Sequence, residues 1–252
     1  MKKKILIFGF TSSLGSNFIF FYQKKFEIHV VINKKKFFFN NIKYHYSNYF
    51  VSKDEKDLEK TISSISPDII LNFSAETNID KCEKNPKSTF FVNSILPKYL
   101  SIISEKKKIY FLHISTDHLF NDNKKFKNEN HVTTAINQYS KQKIIAEKEV
   151  LKNKYSCIIR TNFFAHTNKE NVFINKVIKD VKSLKKVDLF SDYFFTPIYS
   201  KYLCFVITKL ISKEINGVFN VSSNERLSKY EFISKIISKL KLNSLMINKV
   251  NF

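Results

Sequence analysis

The chain has 252 residues, 43% hydrophobic and 15% aromatic, with three Gly and four Pro, which is enough apolar material for a sizeable core and excludes a largely disordered, collagen-like or Pro/Gly-rich chain. Its three cysteines, Cys82, Cys157 and Cys204, are too few for a disulfide framework and match no zinc spacing, so a reducing compartment and no metal are expected. The formal net charge of +21 invites nucleic acid as a partner, but Arg occurs only at 160 and 226 and the Lys are spread throughout; with Asn, Phe and Ile abundant and Ala and Trp scarce, this reads as composition bias, not a specific nucleic-acid patch.

In chain order, Met1-Lys2-Lys3-Lys4 before Ile5-Leu6-Ile7-Phe8 mimics the start of a signal peptide. Gly9 and Thr11-Ser12-Ser13 break the apolar run and no small-residue cleavage site follows, so residues 4–8 are expected as a buried first strand. Further strands are expected at 28–32, 68–73, 109–114 and 156–160, and helices at 16–25, 57–64, 86–106 and 137–153. Strands alternating with helices predict an α/β fold built on a doubly wound, Rossmann-like parallel sheet. Beyond Thr161 the pattern becomes a helix at 172–184, a strand at 187–190, a helix at 202–212, a strand at 218–221 and a helix at 229–240. The expected organisation is a dinucleotide-binding domain at 1–160 and a smaller, interleaved substrate-binding lobe at 161–252. No run reaches the ~18 apolar residues of a membrane-spanning helix, so a cytoplasmic protein without membrane insertion is expected.

Three places carry chemistry. The first strand runs into Gly9-Phe10-Thr11-Ser12-Ser13-Leu14-Gly15, a strand–turn–helix that aims backbone N–H groups at a pyrophosphate. Ser12 replaces the middle glycine of the usual loop, and its hydroxyl either crowds the phosphates or donates to them. After the second strand, Asn33-Lys34-Lys35-Lys36 has no acid for a ribose 2′-hydroxyl; the lysines suit a 2′-phosphate, so NADPH is expected over NADH. Finally, Ser115-Thr116-Asp117 follows the 109–114 strand, and Tyr139 and Lys143 are spaced to share one face of a helix. A phenol exchanges its proton poorly at neutral pH unless a nearby ammonium lowers its pKa. Thr116 is placed to hold a carbonyl for Tyr139. The histidines at 29, 45, 113, 131 and 166 show no metal spacing, and His113 reads as a strand residue.

This combination resembles the extended short-chain dehydrogenase/reductases, and more narrowly the dTDP-4-dehydrorhamnose reductase family. Asn72-Phe73-Ser74-Ala75-Glu76-Thr77-Asn78-Ile79-Asp80 is similar to that family's N-A-A-A-x-T-x-V-D, and Ser115-Thr116-Asp117-His118-Leu119-Phe120 to its S-T-D-Y-V-F. Val92-Asn93, Arg160-Thr161 and Gly217-Val218-Phe219-Asn220-Val221 fall in the family's order. The resemblance implies an NAD(P)H-dependent reductase of a nucleotide-activated 4-keto-6-deoxy sugar, serving polysaccharide precursor synthesis, with a nucleotide-sugar substrate and a homodimer as a compatible assembly. It implies Tyr139 as proton donor, Thr116 and Lys143 as its catalytic partners, and Gly9, Ser12, Ser13, Leu14, Gly15, Asn33, Ser74, Ala75, Glu76, Tyr139 and Lys143 around the cofactor. Thr116, Asp117 and Phe163 would meet the sugar.

Two features depart from the family. Its D-Q-x-G-x-P-T becomes Asp192-Tyr193-Phe194-Phe195-Thr196-Pro197-Ile198, and the given sequence ends at Phe252, short of a family segment expected to contact substrate. A noncatalytic NAD(P)-binding regulatory member is therefore one alternative, and a sugar-nucleotide epimerase another. His118 stands where related dehydratases carry a third acidic residue, which argues against elimination chemistry.

Overall fold

The computed structural model describes residues 2–32, 39–120, 126–165 and 172–251. Seven strands form one sheet: β1 (Lys4–Phe8), β2 (Glu27–Ile32), β3 (Lys43–Tyr46), β4 (Ile69–Asn72), β5 (Tyr110–Ile114), β6 (Ser156–Thr161) and β7 (Gly217–Val221). They lie in the order β7-β6-β5-β4-β1-β2-β3, and every neighbouring pair is parallel. This is the expected Rossmann-like α/β architecture. Successive connections run one way from β1 to β3 and the other way from β4 to β7, so a crevice opens at the carboxyl ends of β1 and β4.

Alternation within the strands explains the layers. Leu6, Phe8, Val31, Ile70, Phe111 and Ile158 join one buried cluster with residues of α2 (Glu55–Ile65), α3 (Leu96–Lys106) and Val150 of α4 (Gln138–Val150). Each such side chain contributes about 1.5–3 kcal/mol on burial. The intervening Ile5 and Ile7 are also fully buried, as a sheet covered on both faces requires. α1 (Ser13–Tyr22) and α5 (Ser200–Lys213) pack together, and the Ser200 hydroxyl donates to Asn17 Oδ1 at 3.1 Å.

Several boundaries differ from the sequence reading for local reasons. Ser12 caps α1, so that helix begins at Ser13 and not at 16. The segment expected as one helix at 86–106 divides into Pro86–Phe90, a π-turn at Phe91–Ile95 and α3. β3 was not expected; its Lys-Tyr-His-Tyr sequence lacks an apolar run, and its register comes from pairing Lys43 with His29 of β2.

The chain divides into two compact units, Met1–Thr161 with Ser200–Val221, and Asn162–Tyr199 with Ser222–Phe252. The 161–252 stretch is thus not one lobe: β7 pairs in register with β6, Val218 opposite Ile158, and so belongs to the first unit with α5. The second unit has its own core, in which Val177, Val181, Leu189, Phe195, Phe232, Ile233, Ile237 and Ile247 are buried together. Its helices are Phe173–Lys182 and Lys229–Lys239, and its strand Val187–Phe190 pairs in parallel with Ile247–Val250. No helix among the described residues is long and apolar enough to cross a membrane.

Candidate active site

The glycine turn is shaped by what cannot fit there. Gly9 has φ of +78°, and a Cβ on it would lie 2.4 Å from the Ser74 nitrogen and 2.5 Å from the Phe73 carbonyl carbon. A Cβ on Gly15 would lie 2.4 Å from the Gly9 oxygen. Both positions therefore require glycine, and together they bring the turn after β1 against the turn after β4. Ser12 donates its N–H to Gly9 O at 2.9 Å, and its hydroxyl oxygen accepts from Gly15 N–H at 3.0 Å. The oxygen is thus committed to capping α1, with the hydroxyl proton left to donate. Ser13 opens the helix and Leu14 buries its side chain. Asn33 lies outside the described residues.

The turn after β4 is held from behind. Asn93, on the π-turn, accepts from Glu76 N–H at 2.9 Å and donates to Glu76 O at 3.0 Å and to Gln142 Oε1 at 2.8 Å. The wider helical turn aims Asn93 at both the loop and α4. Sequence reasoning placed Asn93 in a helix but gave it no task. Ser74 is half-buried and Ala75 is exposed. Glu76 pairs its carboxylate with Lys81 and accepts from Asn78 N–H, so it tethers the following helix.

Thr116 and Tyr139 come together. Both are buried, and the Thr116 hydroxyl acts on the Tyr139 phenol, drawing its pKa down. Thr116 follows β5, and its Oγ1 also accepts from His118 N–H at 3.2 Å. Tyr139 stands in the first turn of α4, whose start is fixed by a capping box between Asn137 and Ser140. Asp117 is part-exposed, 3.8 Å from His118 Nε2. The neighbouring Ser115 hydroxyl is buried and has no hydrogen-bond partner among the described residues. Phe163 lies in the second unit, half-buried on the two-residue strand Phe163–Phe164, paired with Ile198–Tyr199.

Lys143 corrects one expectation. It is fully buried one turn after Tyr139, but its amine lies 2.8 Å from His113 Nε2 and donates to Ile114 O at 2.8 Å. Burial pulls its pKa down to about 7, with Glu147 acting in the opposite direction. Burial likewise pushes the Tyr139 phenol above its ordinary value, against the pull of the Thr116 hydroxyl. The expected lowering of the phenol by an adjacent ammonium is therefore absent from this arrangement. Glu147 itself is clamped by Arg160, whose Nη2 donates to Oε2 at 2.7 Å and whose Nε reaches both carboxylate oxygens at 3.1 Å. Arg160 thus ties α4 to β6.

A doubly wound sheet with a glycine cradle at its reversal point and a Thr–Tyr pair at the next strand end defines a dinucleotide-binding fold of the short-chain dehydrogenase/reductase kind. The chain belongs to the RmlD substrate-binding domain family, whose profile matches residues 2–251. It is 27% identical over 198 residues to the spore coat polysaccharide biosynthesis protein SpsK of Bacillus subtilis, covering 77% of this chain and 69% of that one. It is 22% identical over 200 residues to the dTDP-4-dehydrorhamnose reductase of Escherichia coli, covering 76% and 67%. The crystal structure of dTDP-4-dehydrorhamnose reductase from Bacillus anthracis in complex with NADP superposes with a TM-score of 0.86 at 23% identity, covering 100% of this chain and 85% of that one. The family expected from the motifs is the family found, and its named relatives include sugar-nucleotide reductases.

Proposed function

We propose that the chain is an NADPH-dependent reductase of a nucleotide-activated 4-keto-6-deoxy sugar, with NADH as a second donor. The observation that carries this reading is that Thr116, buried at the carboxyl end of β5 beside the switch point of the sheet, acts on the buried Tyr139 phenol in the first turn of α4. The cradle at Gly9 and Gly15, which a Cβ would fill, fits a pyrophosphate approaching the backbone. Ser12, Ser13, Leu14, Ser74 and Ala75 would line that side, and the Ser115 hydroxyl, without a partner among the described residues, has hydrogen-bonding capacity to spare.

A reduced nicotinamide bound there would supply hydride to a carbonyl carbon. Thr116 would orient the carbonyl oxygen by donating to it. Tyr139 would transfer its phenolic proton to the developing alkoxide, giving the alcohol and leaving a phenolate that regains a proton from solvent. Lys143, whose amine meets His113 and Ile114 O, would hold a cofactor hydroxyl. Asp117 is the proposed sugar contact of the first unit.

The deciding experiment follows oxidation of NADPH, and in parallel NADH, with dTDP-4-dehydrorhamnose and a panel of other nucleotide-linked ketosugars. Turnover with a member of the panel supports the reading. Cofactor binding without turnover on any member favours a noncatalytic, cofactor-binding role, and conversion without nicotinamide oxidation favours epimerisation.

A further inference from the structure

Behind Lys143 runs a buried polar chain that the proposed chemistry does not use. Asn72 ends β4, and His113 lies opposite it on β5. The Asn72, His113 and Lys143 side chains are 0–1% exposed. Ser74 N–H donates to Asn72 Oδ1 at 3.0 Å, Asn72 Nδ2 lies 3.2 Å from His113 Nδ1, and His113 Nε2 lies 2.8 Å from Lys143 Nζ.

Donor and acceptor counting restricts how these groups can be protonated. The Ser74 N–H needs the Asn72 oxygen, which fixes the amide's orientation. Asn72 Nδ2 is then a donor, so His113 Nδ1 must accept and the ring proton sits on Nε2. That proton points at Lys143 Nζ, which can accept only as a neutral amine. A charged Lys143 demands the reverse: Nε2 accepts, the ring proton moves to Nδ1, and it faces the Asn72 amide hydrogens. Relieving that clash turns the Asn72 oxygen towards the ring and removes the acceptor from Ser74 N–H. An unsatisfied buried donor is costly, so the two states are discrete.

We propose that His113 is a positioning residue that couples the charge of Lys143, through exchange of its ring tautomer, to the Asn72 amide and the backbone N–H of Ser74. The far end of this relay abuts the cradle, since Ser74 N is the atom nearest to where a Gly9 Cβ would stand. The surroundings leave His113 as the control. On α4, Glu147 favours the charged amine but is clamped by Arg160 of β6. Tyr139 on the same helix feels Asp117 and Cys82. The ring itself stays neutral, because burial and Lys143 both hold its pKa well below the ordinary value. The relay is a property of the free protein and rests on the proposed function only in assigning Lys143 to the reaction.

The test needs neither cofactor nor substrate. In protein labelled with 15N-histidine, long-range 1H–15N correlations read the tautomer of each ring, and His113→Gln assigns the His113 signals by their loss. Above about pH 8 the expected form carries its proton on Nε2, and lowering the pH through about 7 shifts it towards Nδ1 without forming imidazolium. Asn72→Asp, whose carboxylate accepts from both Ser74 N–H and Nδ1–H, is expected to hold the Nδ1-protonated form across about pH 6–9. An Nδ1-protonated ring in the unmutated protein throughout that range, or a ring that titrates at its ordinary value, overturns the relay. Tautomer exchange without ketosugar reduction leaves the relay standing and removes the reductase reading; reduction by a protein whose tautomer never exchanges does the opposite.

Discussion

Two regions of the molecule are built differently. At the cradle, backbone meets backbone: Gly9 against Phe73 and Ser74, Gly15 against Gly9. In the second unit, rings and cations meet through flexible side chains. The Arg226 guanidinium lies 3.8 Å from the Phe194 ring centre and the Lys229 amine 3.6 Å from that of Phe195, within a stretch joined by two-residue strands. A backbone contact tolerates one residue type, whereas a side-chain contact can be remade by many. The cradle therefore keeps its glycines in a chain that has only three, while the stretch at 192–198 departs from the family pattern.

Substitutions should separate the two modes sharply. Gly9→Ala forces a Cβ into backbone and is expected to remove at least about 4 kcal/mol or prevent folding. Gly217→Ala meets no atom within 4 Å, though Gly217 has φ of +112°, so it should lose only about 1–2 kcal/mol of strain. Chemical denaturation of the pair checks the contrast. Next in size, Glu147→Ala strands the buried Arg160 and should destabilise by about 3–5 kcal/mol in the same assay.

Lys143→Met should have the opposite sign. Between the folded value near 7 and the ordinary Lys value of about 10.4, the unfolded chain binds a proton that the folded chain does not. Stability of the unmutated protein therefore rises with pH through that window, and its least favourable contribution lies below it. Lys143→Met should flatten this slope and raise stability at neutral pH by about 1–2 kcal/mol, read from melting curves at several pH values. Smallest of all, Arg226→Ala should change stability by about 0.5–1 kcal/mol, the scale of an isolated cation–π contact.

The same contrast governs how much could be read before any coordinates. Apolar runs located β1, β2, β4, β5 and β6, because buried parallel strands write themselves as continuous hydrophobic residues. The glycine turn and the Tyr139–Lys143 spacing were legible, because local geometry imposes them. β3 was not, since its register is supplied by β2, and the strand Ile247–Val250 depends in the same way on Val187–Phe190. The division of the chain into units was hidden because β7 joins β6 from almost sixty residues away. His113 was assigned correctly to a strand, yet its role as partner of Lys143 needed the topology that sets β5 beneath α4. The orientation of Lys143 was misjudged for a related reason: spacing puts it on the face of Tyr139 but does not say which acceptor its amine will choose.

In the proposed reaction Tyr139 delivers the proton to the reduced carbonyl. Its most direct test is Tyr139→Phe, assayed for NADPH affinity by fluorescence and for turnover on whichever ketosugar the unmutated protein reduces. Turnover is expected to fall by about 10²–10⁴-fold with NADPH affinity held within about twofold. Turnover retained within about tenfold would contradict it.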